Sequence, residues 1–309
     1  MHTIIARLGH TPTLLFSGAL VCWAGNAVFT RLLLVNIDVS PIQLSFWRTL
    51  VGFAVVTLLA ITQIRQDWQL MWRHWHVLAF LGITSMVAYN LLLYFGLSSG
   101  EEAPAAATIN NLFPVVIIGV SVLVFGEKIG PLGWLGVALA LLGGLITAFE
   151  GSLENALAFR LSTGKVWILG AVFGYGLYMA CLRLRPDGLG QYSFLWSLLF
   201  WALIFVSFLW LWDTLSRQNQ FPWHEPGAVV HLTYIVLAPT LAAPLLVNQA
   251  IRIAGPKTPA LMMTLLPFFV AALATLVSLV TDLDERLAWY HWLSLSLIIP
   301  GTILIQRKK

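Results

Sequence analysis

The chain has 309 residues, of which 59% are hydrophobic and only 10% charged, and its mean hydropathy is +0.85. Soluble domains carry about 25% charged residues, so this composition excludes an ordinary soluble protein and indicates a chain embedded in lipid. The net charge of +4 comes from basic residues scattered singly along the chain. Because they form no basic stripe, we expect no nucleic-acid partner.

Apolar segments of about 18–25 residues are long enough to cross a hydrocarbon core of ~30 Å. Ten such segments occur in chain order, at 12–34, 42–62, 76–98, 103–125, 132–149, 164–182, 190–212, 228–251, 258–281 and 288–305. The first is interpreted as an uncleaved span rather than a signal peptide, because nine further segments follow it. The sequence therefore predicts an all-α membrane protein with ten transmembrane helices and only short connections.

The distribution of charge predicts the orientation of these spans. With both termini in the cytoplasm, 11 of the 17 Lys and Arg residues lie on the cytoplasmic side. Of the 13 acidic residues, only Asp67, Glu127 and Asp187 lie there. This bias has the sign of the positive-inside rule. It therefore supports both the even number of spans and the cytoplasmic position of the termini.

Three stretches of the first half recur, in the same order, in the second half. At an offset of 158 residues, Glu127-Lys128, Trp134 and Gly143 match Glu285-Arg286, Trp292 and Gly301. At an offset of 153, Leu112-Phe113-Pro114-Val115 matches Leu265-Leu266-Pro267-Phe268. At an offset of 152, Gly18-Ala19, Trp23 and Arg31 match Gly170-Ala171, Tyr175 and Arg183. Each half holds five spans, an odd number, so the second copy must be inverted in the membrane. We predict a 5+5 inverted repeat, with one copy over 1–150 and the other over 151–309. Secondary transporters are commonly built in this way, with the substrate site between the halves.

Short motifs in the first half carry a family resemblance. They are Trp23-Ala24-Gly25-Asn26, Arg48, Pro114, Gly126-Glu127 and the glycine-rich stretch 133–144. With them the chain resembles the EamA-type branch of the drug/metabolite transporter superfamily over essentially its full length. Ala24 stands where the family's W-G-x-N-F opening has its glycine, and Phe46-Trp47-Arg48-Thr49 departs from the family's L-R-F element. The resemblance implies a ten-span carrier that exports amino acids or related metabolites across a bacterial inner membrane.

Arg48 is the first candidate for a substrate contact. It lies about two turns into the second predicted span, where a charged side chain at the centre costs about 2.5–3.5 kcal/mol on insertion scales. A guanidinium can bind a substrate carboxylate or phosphate bidentately. Because two helical turns span only ~11 Å, the side chain could instead snorkel to the outer headgroups. Both interpretations stay open at this stage.

Polar and aromatic side chains in other spans complete the predicted cavity. The candidates are Trp23, Asn26 and Thr30 in the first span, Tyr89, Asn90 and Tyr94 in the third, Asn110 and Asn111 in the fourth, Tyr175 and Tyr178 in the sixth, and Asn248 and Gln249 in the eighth. For each of them, interhelical packing is the alternative role. Pro114 and Pro267 occupy matching positions and are candidates for symmetry-related hinges, with a static kink as the alternative.

Several activities are disfavoured by the motifs. His224-Glu225 does not continue to H-E-x-x-H, and Gly164-Lys165 lacks the rest of a P-loop. We therefore expect no enzyme, no metal, no cofactor and no ATP. The partners would be lipid and a small-molecule substrate, with homodimerisation left open. All 13 acidic residues fall in loops or at span edges. This favours facilitated diffusion or exchange, or proton coupling through the substrate or an edge residue.

The leading functional prediction is a secondary transporter that exports or exchanges a small polar metabolite, above all an amino acid or a derivative, by alternating access. One alternative is an uptake carrier for a vitamin, a nucleoside or a sugar derivative. An alternative of another class is a membrane-embedded enzyme or a lipid-handling protein.

Overall fold

The computed structural model describes residues 12–158, 160–254, 265–279, 281 and 287–306, apart from the side chains at 248, 251, 252, 254 and 306. Within these ranges the chain forms helices and no strand. The long helices are α1 (Pro12–Val35), α2 (Pro41–Arg73), α3 (Trp75–Ser98), α4 (Ala103–Leu123), α5 (Pro131–Ala148), α6 (Thr163–Cys181), α7 (Gln191–Arg217), α8 (226–254), α9 (Leu266–Val277) and α10 (Trp289–Gln306). A short helix, Leu153–Leu157, lies between α5 and α6.

Eight of these helices, α1 to α8, contain a stretch long and apolar enough to cross a membrane. The apolar parts of α9 and α10 that the structure describes, Leu266–Val277 and Trp289–Ile305, are shorter. The prediction of an all-helical, multi-pass membrane protein is confirmed. The count of ten spans remains a prediction, because residues 255–264, directly before α9, lie outside the described part.

The connection predicted after the second span is helical instead. α2 continues through it to Arg73, and His74 alone separates α2 from α3. The helix bends at Ala60, whose φ of −126° and ψ of 16° are not helical. Beyond the bend, Ile64 and Met71 are buried in a cluster that includes residues of α7. An apolar face on this segment thus extends the helix beyond the hydrophobic segment that the sequence analysis recognised.

The helices of the two halves pack in a symmetric pattern. α5 packs on α10, α2 on α7 and α4 on α9. The remaining principal contacts between the halves form pairs: α3–α6 with α1–α8, α4–α6 with α1–α9, and α3–α7 with α2–α8. When α1 is exchanged with α6, α2 with α7, and so on to α5 with α10, the same set of contacts is obtained. The contacts between the described helices are therefore symmetric under this exchange.

The seam between α5 and α10 shows the same exchange at single residues. A Cβ atom on Gly136 would lie 2.5 Å from the carbonyl oxygen of Gly301, and one on Gly143 would lie 2.7 Å from that of Ser294. The offset of 158 pairs Gly136 with Ser294 and Gly143 with Gly301, so it turns one close contact into the other. The Ser294 hydroxyl also donates to the Gly143 carbonyl at 2.6 Å. Small residues thus let the two backbones approach closely.

Candidate substrate site around Arg48

Arg48 is buried between α2 and three other helices. Its Nη1 donates to Asn90 Oδ1 at 2.7 Å, to Asn26 Oδ1 at 3.3 Å and to the Tyr94 hydroxyl, and its Nε donates to Thr240 Oγ1 at 3.0 Å. Only 8% of the residue's surface is exposed. The side chain thus turns towards α1, α3 and α8, which favours the interpretation of Arg48 as a residue of the bundle interior over the snorkelling interpretation.

The four acceptors around Arg48 are all neutral. Among the described residues no carboxylate forms an ion pair with it, and Nη2 has no hydrogen-bond partner. Protein atoms do not fully enclose Nη2, so part of its surface stays accessible. Neutral oxygens replace only part of the hydration that a buried cation loses. An anion that reached Nη2 would gain charge-assisted hydrogen bonds with the guanidinium.

Two π-helical segments position two of these acceptors. One is Ile83–Ala88 in α3 and the other is Val236–Ala242 in α8; they begin 153 residues apart, the offset that also joins Pro114 to Pro267. Asn90 Nδ2 donates to the Met86 carbonyl at 2.9 Å, so its Oδ1 is left to face Arg48. Single π-helical turns within α-helices are frequent at functional sites.

The second of these segments positions Thr240. Its hydroxyl donates to the Ile235 carbonyl at 2.9 Å, which leaves the oxygen lone pairs free to accept from Arg48 Nε. The sequence analysis missed Thr240. The signal that could have found it is Pro239, because a proline inside an apolar span frees a carbonyl and a neighbouring hydroxyl can bind it.

Of the predicted cavity residues, Asn26, Asn90 and Tyr94 are the three that the structure gathers around Arg48. The other two members of the predicted stripe on α1 form no hydrogen bond with Arg48 among the described residues. Trp23 is half-buried with its ring edge-on to Phe16 at 6.4 Å. Thr30 is fully buried, and its Oγ1 has no partner among the described residues.

A second group of predicted residues forms an aromatic wall on α3, α4 and α6. The Tyr175 ring centroid lies 4.8 Å from that of Tyr89, 4.9 Å from that of Phe113 and 5.5 Å from that of Tyr178. Asn110 Nδ2 donates to the Tyr89 hydroxyl at 3.4 Å. Phe113 was not predicted, since 18 phenylalanines in so apolar a chain give no single one a distinguishing signal.

The remaining predicted residues lie at a helix break or in α8. Asn111 is buried at the interruption of α4 that separates Ala103–Asn110 from Phe113–Leu123. Gln249 is exposed on α8, and the side chain of Asn248 lies outside the described part of the chain.

Both candidate hinge prolines begin a helical segment. Pro114 lies in the first turn after the break in α4, and Pro267 lies in the first turn of α9. A proline is tolerated there because the first N–H groups of a helix have no intrahelical partner. Pro114 therefore follows a break instead of kinking a continuous helix.

A family model described as the EamA-like transporter family matches residues 11–149 and 162–307, most of the chain. The chain belongs to the EamA-like transporter family. The predicted kinship with the drug/metabolite transporter superfamily is thereby confirmed. Because members of this family are transporters, the prediction of a multi-pass membrane transporter is confirmed at that level. No curated protein matches this EamA-like chain.

Solved structures support the fold of this EamA-like transporter. One, described only as a protein crystal structure, superposes with a TM-score of 0.56 over 94% of this chain and 96% of its own length. At 15% sequence identity the likeness concerns the fold alone. A full-length match of this kind shows that the helices described above form one known arrangement.

Proposed function

We propose that this EamA-like transporter is a secondary carrier whose substrate is a small polar metabolite with an anionic group that binds Arg48. An amino acid or a derivative, exported or exchanged, is the leading class. The observation that carries the proposal is the buried guanidinium held by neutral oxygens, with Nη2 unpartnered among the described residues. A cation fixed inside a membrane protein and left without a carboxylate suits a transient anionic ligand better than a permanent structural pair.

The symmetric packing supports an alternating-access mechanism. In this proposal the two units, 1–150 and 151–309, are an inverted 5+5 repeat of ten spans. The contacts α3–α6 and α1–α8 correspond to each other in this repeat, and they form and loosen on opposite sides of the membrane. Repeats of this kind give two nearly equivalent conformations, one open to each side. Arg48 contacts α1, α3 and α8, so it lies where movement of one unit against the other changes its surroundings.

The positions of the charged residues support both the proposed mode of transport and the proposed orientation in the membrane. Among the described acidic residues, those in long helices lie near the helix ends; Asp213, for example, lies four residues before the end of α7. Exchange or facilitated diffusion needs no ionisable group at the centre of the bundle. The excess of basic residues in alternate connections supports cytoplasmic termini, and a bacterial inner membrane is the proposed location.

Counterflow in proteoliposomes tests the proposal. For each compound in a panel of amino acids, vitamins, nucleosides and sugar derivatives, purified protein is reconstituted with the unlabelled compound inside the vesicles, and uptake of the same labelled compound is followed. Arg48→Ala removes the buried guanidinium, whereas Arg217→Ala removes an exposed one that stacks on Trp212. We expect uptake of one class of anionic compound, lost in Arg48→Ala and kept in Arg217→Ala. Equal uptake by both variants would contradict the role of Arg48, and uptake confined to vitamins, nucleosides or sugars would replace the substrate class.

A further inference from the structure

The connection between α7 and α8 folds into the end of the bundle. It comprises residues 218–225 and begins at Gln218, whose φ of 57° is left-handed. Phe221 is only 4% exposed and belongs to a hydrophobic cluster with residues of α1, α3 and α8. The Trp223 ring packs on that of Trp47, with centroids 4.7 Å apart. Because connections normally lie on the surface, a buried phenylalanine in so short a segment indicates that the segment fills a specific place in the bundle.

That place is next to the Arg48 site. The cluster of Phe221 includes Tyr94, whose hydroxyl accepts from Arg48, and also Leu44 on α2. Leu44 lies four residues before Arg48, so it is one helical turn nearer to the end of the bundle where α1 joins α2. In the orientation proposed above this is the outer end. The connection thus covers the site from the outer side.

Buried polar side chains hold the connection in this position. Asn219 Nδ2 donates to Asp213 Oδ1 at 3.0 Å, and the Ser40 hydroxyl donates to Asp213 Oδ2 at 3.0 Å. Gln43 Nε2 donates to the Asn219 carbonyl at 2.8 Å. Asp213 and Gln43 are buried, and no cation forms an ion pair with Asp213 among the described residues. We call the group of Ser40, Gln43, Asp213 and Asn219 the polar latch, because it ties the connection to the first turns of α2.

The α2–α3 connection has no counterpart of this buried loop. The exchange of helices described above relates the α7–α8 connection to the α2–α3 connection. The latter consists of His74 alone, so it cannot fold back over the bundle. The symmetric helix packing therefore does not require the loop at 218–225. A separate role at one end of the bundle accounts for it better.

We propose that the α7–α8 connection is a gate that controls access to Arg48 from the outer side, with Phe221 as its plug. This inference rests on the carrier function proposed above, because a carrier exposes its site to each side in turn. Opening moves the connection away from α2, breaks the bonds of Gln43 and Asp213 to Asn219, and withdraws Phe221 from the cluster. Water replaces the lost hydrogen-bond partners, so the polar latch closes the gate without making it permanent.

Cross-linking of the polar latch tests whether the connection has to move. Ser40→Cys with Asp213→Cys places two thiols where the wild-type side chains are in hydrogen-bond contact, after Cys22 and Cys181 have been replaced by serine. A short bifunctional methanethiosulfonate should lower counterflow about tenfold or more, and a reductant should restore it. The single variant Asp213→Cys, treated in the same way, should keep its counterflow. Equal counterflow before and after cross-linking would overturn the gate and leave the carrier in place.

Thiol labelling tests the plug without any cross-link. Leu44→Cys places a thiol in the cluster that contains Phe221. In detergent, Phe221→Ala should raise its rate of reaction with a methanethiosulfonate about fivefold or more, because the end of the bundle opens more often. Phe221→Leu keeps an apolar plug, and Phe208→Ala removes an exposed ring of α7, so both should leave the rate unchanged.

The outcomes separate the gate from the carrier. An unchanged labelling rate in Phe221→Ala would overturn the plug, even if the carrier transports its substrate. Absence of counterflow for every compound in the wild-type protein would instead overturn the carrier function, and the gate with it.

Discussion

Arg48 Nη1 and Asn90 Oδ1 lie 2.7 Å apart, so a full positive charge inside the bundle faces an amide oxygen rather than a carboxylate. The amide is held in that orientation by its own bond to the Met86 carbonyl at the π-helical part of α3. The guanidinium is thus positioned without being neutralised. A site of this kind keeps its attraction for an anion that arrives and leaves during transport.

Introducing a carboxylate at this position should block the site. In Asn90→Asp the new carboxylate would pair with Arg48 and compete with the substrate's anionic group. We expect the KM of counterflow to rise at least about tenfold, which corresponds to about 1.4 kcal/mol, without loss of thermal stability. Asn155→Asp, which adds the same charge on the short surface helix, is the control. An unchanged KM in Asn90→Asp would mean that Arg48 is not where the anion binds.

Thr240 is predicted to support the guanidinium from α8. Thr240→Val keeps the shape of the side chain but leaves Arg48 Nε without its acceptor. An unsatisfied buried donor costs about 1–3 kcal/mol, so the unfolding temperature in detergent should fall. Thr240→Ser retains the hydroxyl and should stay close to the wild type. If Thr240→Val were as stable as Thr240→Ser, this hydrogen bond would contribute nothing to the fold.

The small residues between α5 and α10 give a test of the packing of these two helices. Gly136→Ala places a methyl group 2.5 Å from the Gly301 carbonyl oxygen, which belongs to the backbone of the facing helix. Overpacking of this kind costs about 1–3 kcal/mol, which should lower the yield of monodisperse protein and its melting temperature. Gly119→Ala is the matched control, because nothing lies within 4 Å of a Cβ atom there. Equal melting temperatures for the two variants would show that α5 and α10 are not in this close contact.

Thiol labelling should show that water reaches Tyr175 in the aromatic wall. The two cysteines, Cys22 and Cys181, are both free, so they are first replaced by serine. A thiol introduced by Tyr175→Cys should then react with a membrane-impermeant methanethiosulfonate, and substrate should slow the reaction. Phe173→Cys places the thiol on the same helix but on the outer face of the bundle, where Phe173 is 58% exposed. We expect no substrate effect at position 173, and equal protection at both positions would argue against a substrate path beside Tyr175.

The sequence predicted the helices well because the length of an apolar segment is a local property. It placed α1 to α8 within a few residues at most ends, and the exception was α2, which runs on to Arg73. That extension depends on burial of Ile64 and Met71 in the cluster shared with α7, a contact between segments far apart in the chain. Hydropathy along the chain does not reveal such a contact.

Local sequence also identified some residues of the candidate site, but not all of them. Arg48, Asn26 and Asn90 stand out in the sequence because polar side chains inside apolar spans are costly and need partners. Thr240 did not stand out, since a single threonine is common in such helices and its role depends on the π-helical segment that contains it. Which of the 18 Phe and 7 Tyr residues meet in the aromatic wall depends on helix rotation, and no local pattern encodes it.

The role of Arg48 is tested most directly by the preference for a carboxylate over its neutral amide. Inhibition of counterflow is measured with the transported amino acid and with its carboxamide, for the wild-type carrier and for Arg48→Gln. The wild type should favour the carboxylate about ten- to a hundredfold, as expected for the loss of one charge-assisted hydrogen bond. Arg48→Gln should bind the two compounds about equally. If Arg48→Gln retained the wild-type preference, the substrate's anionic group would bind elsewhere, and the site described here would not be the substrate site.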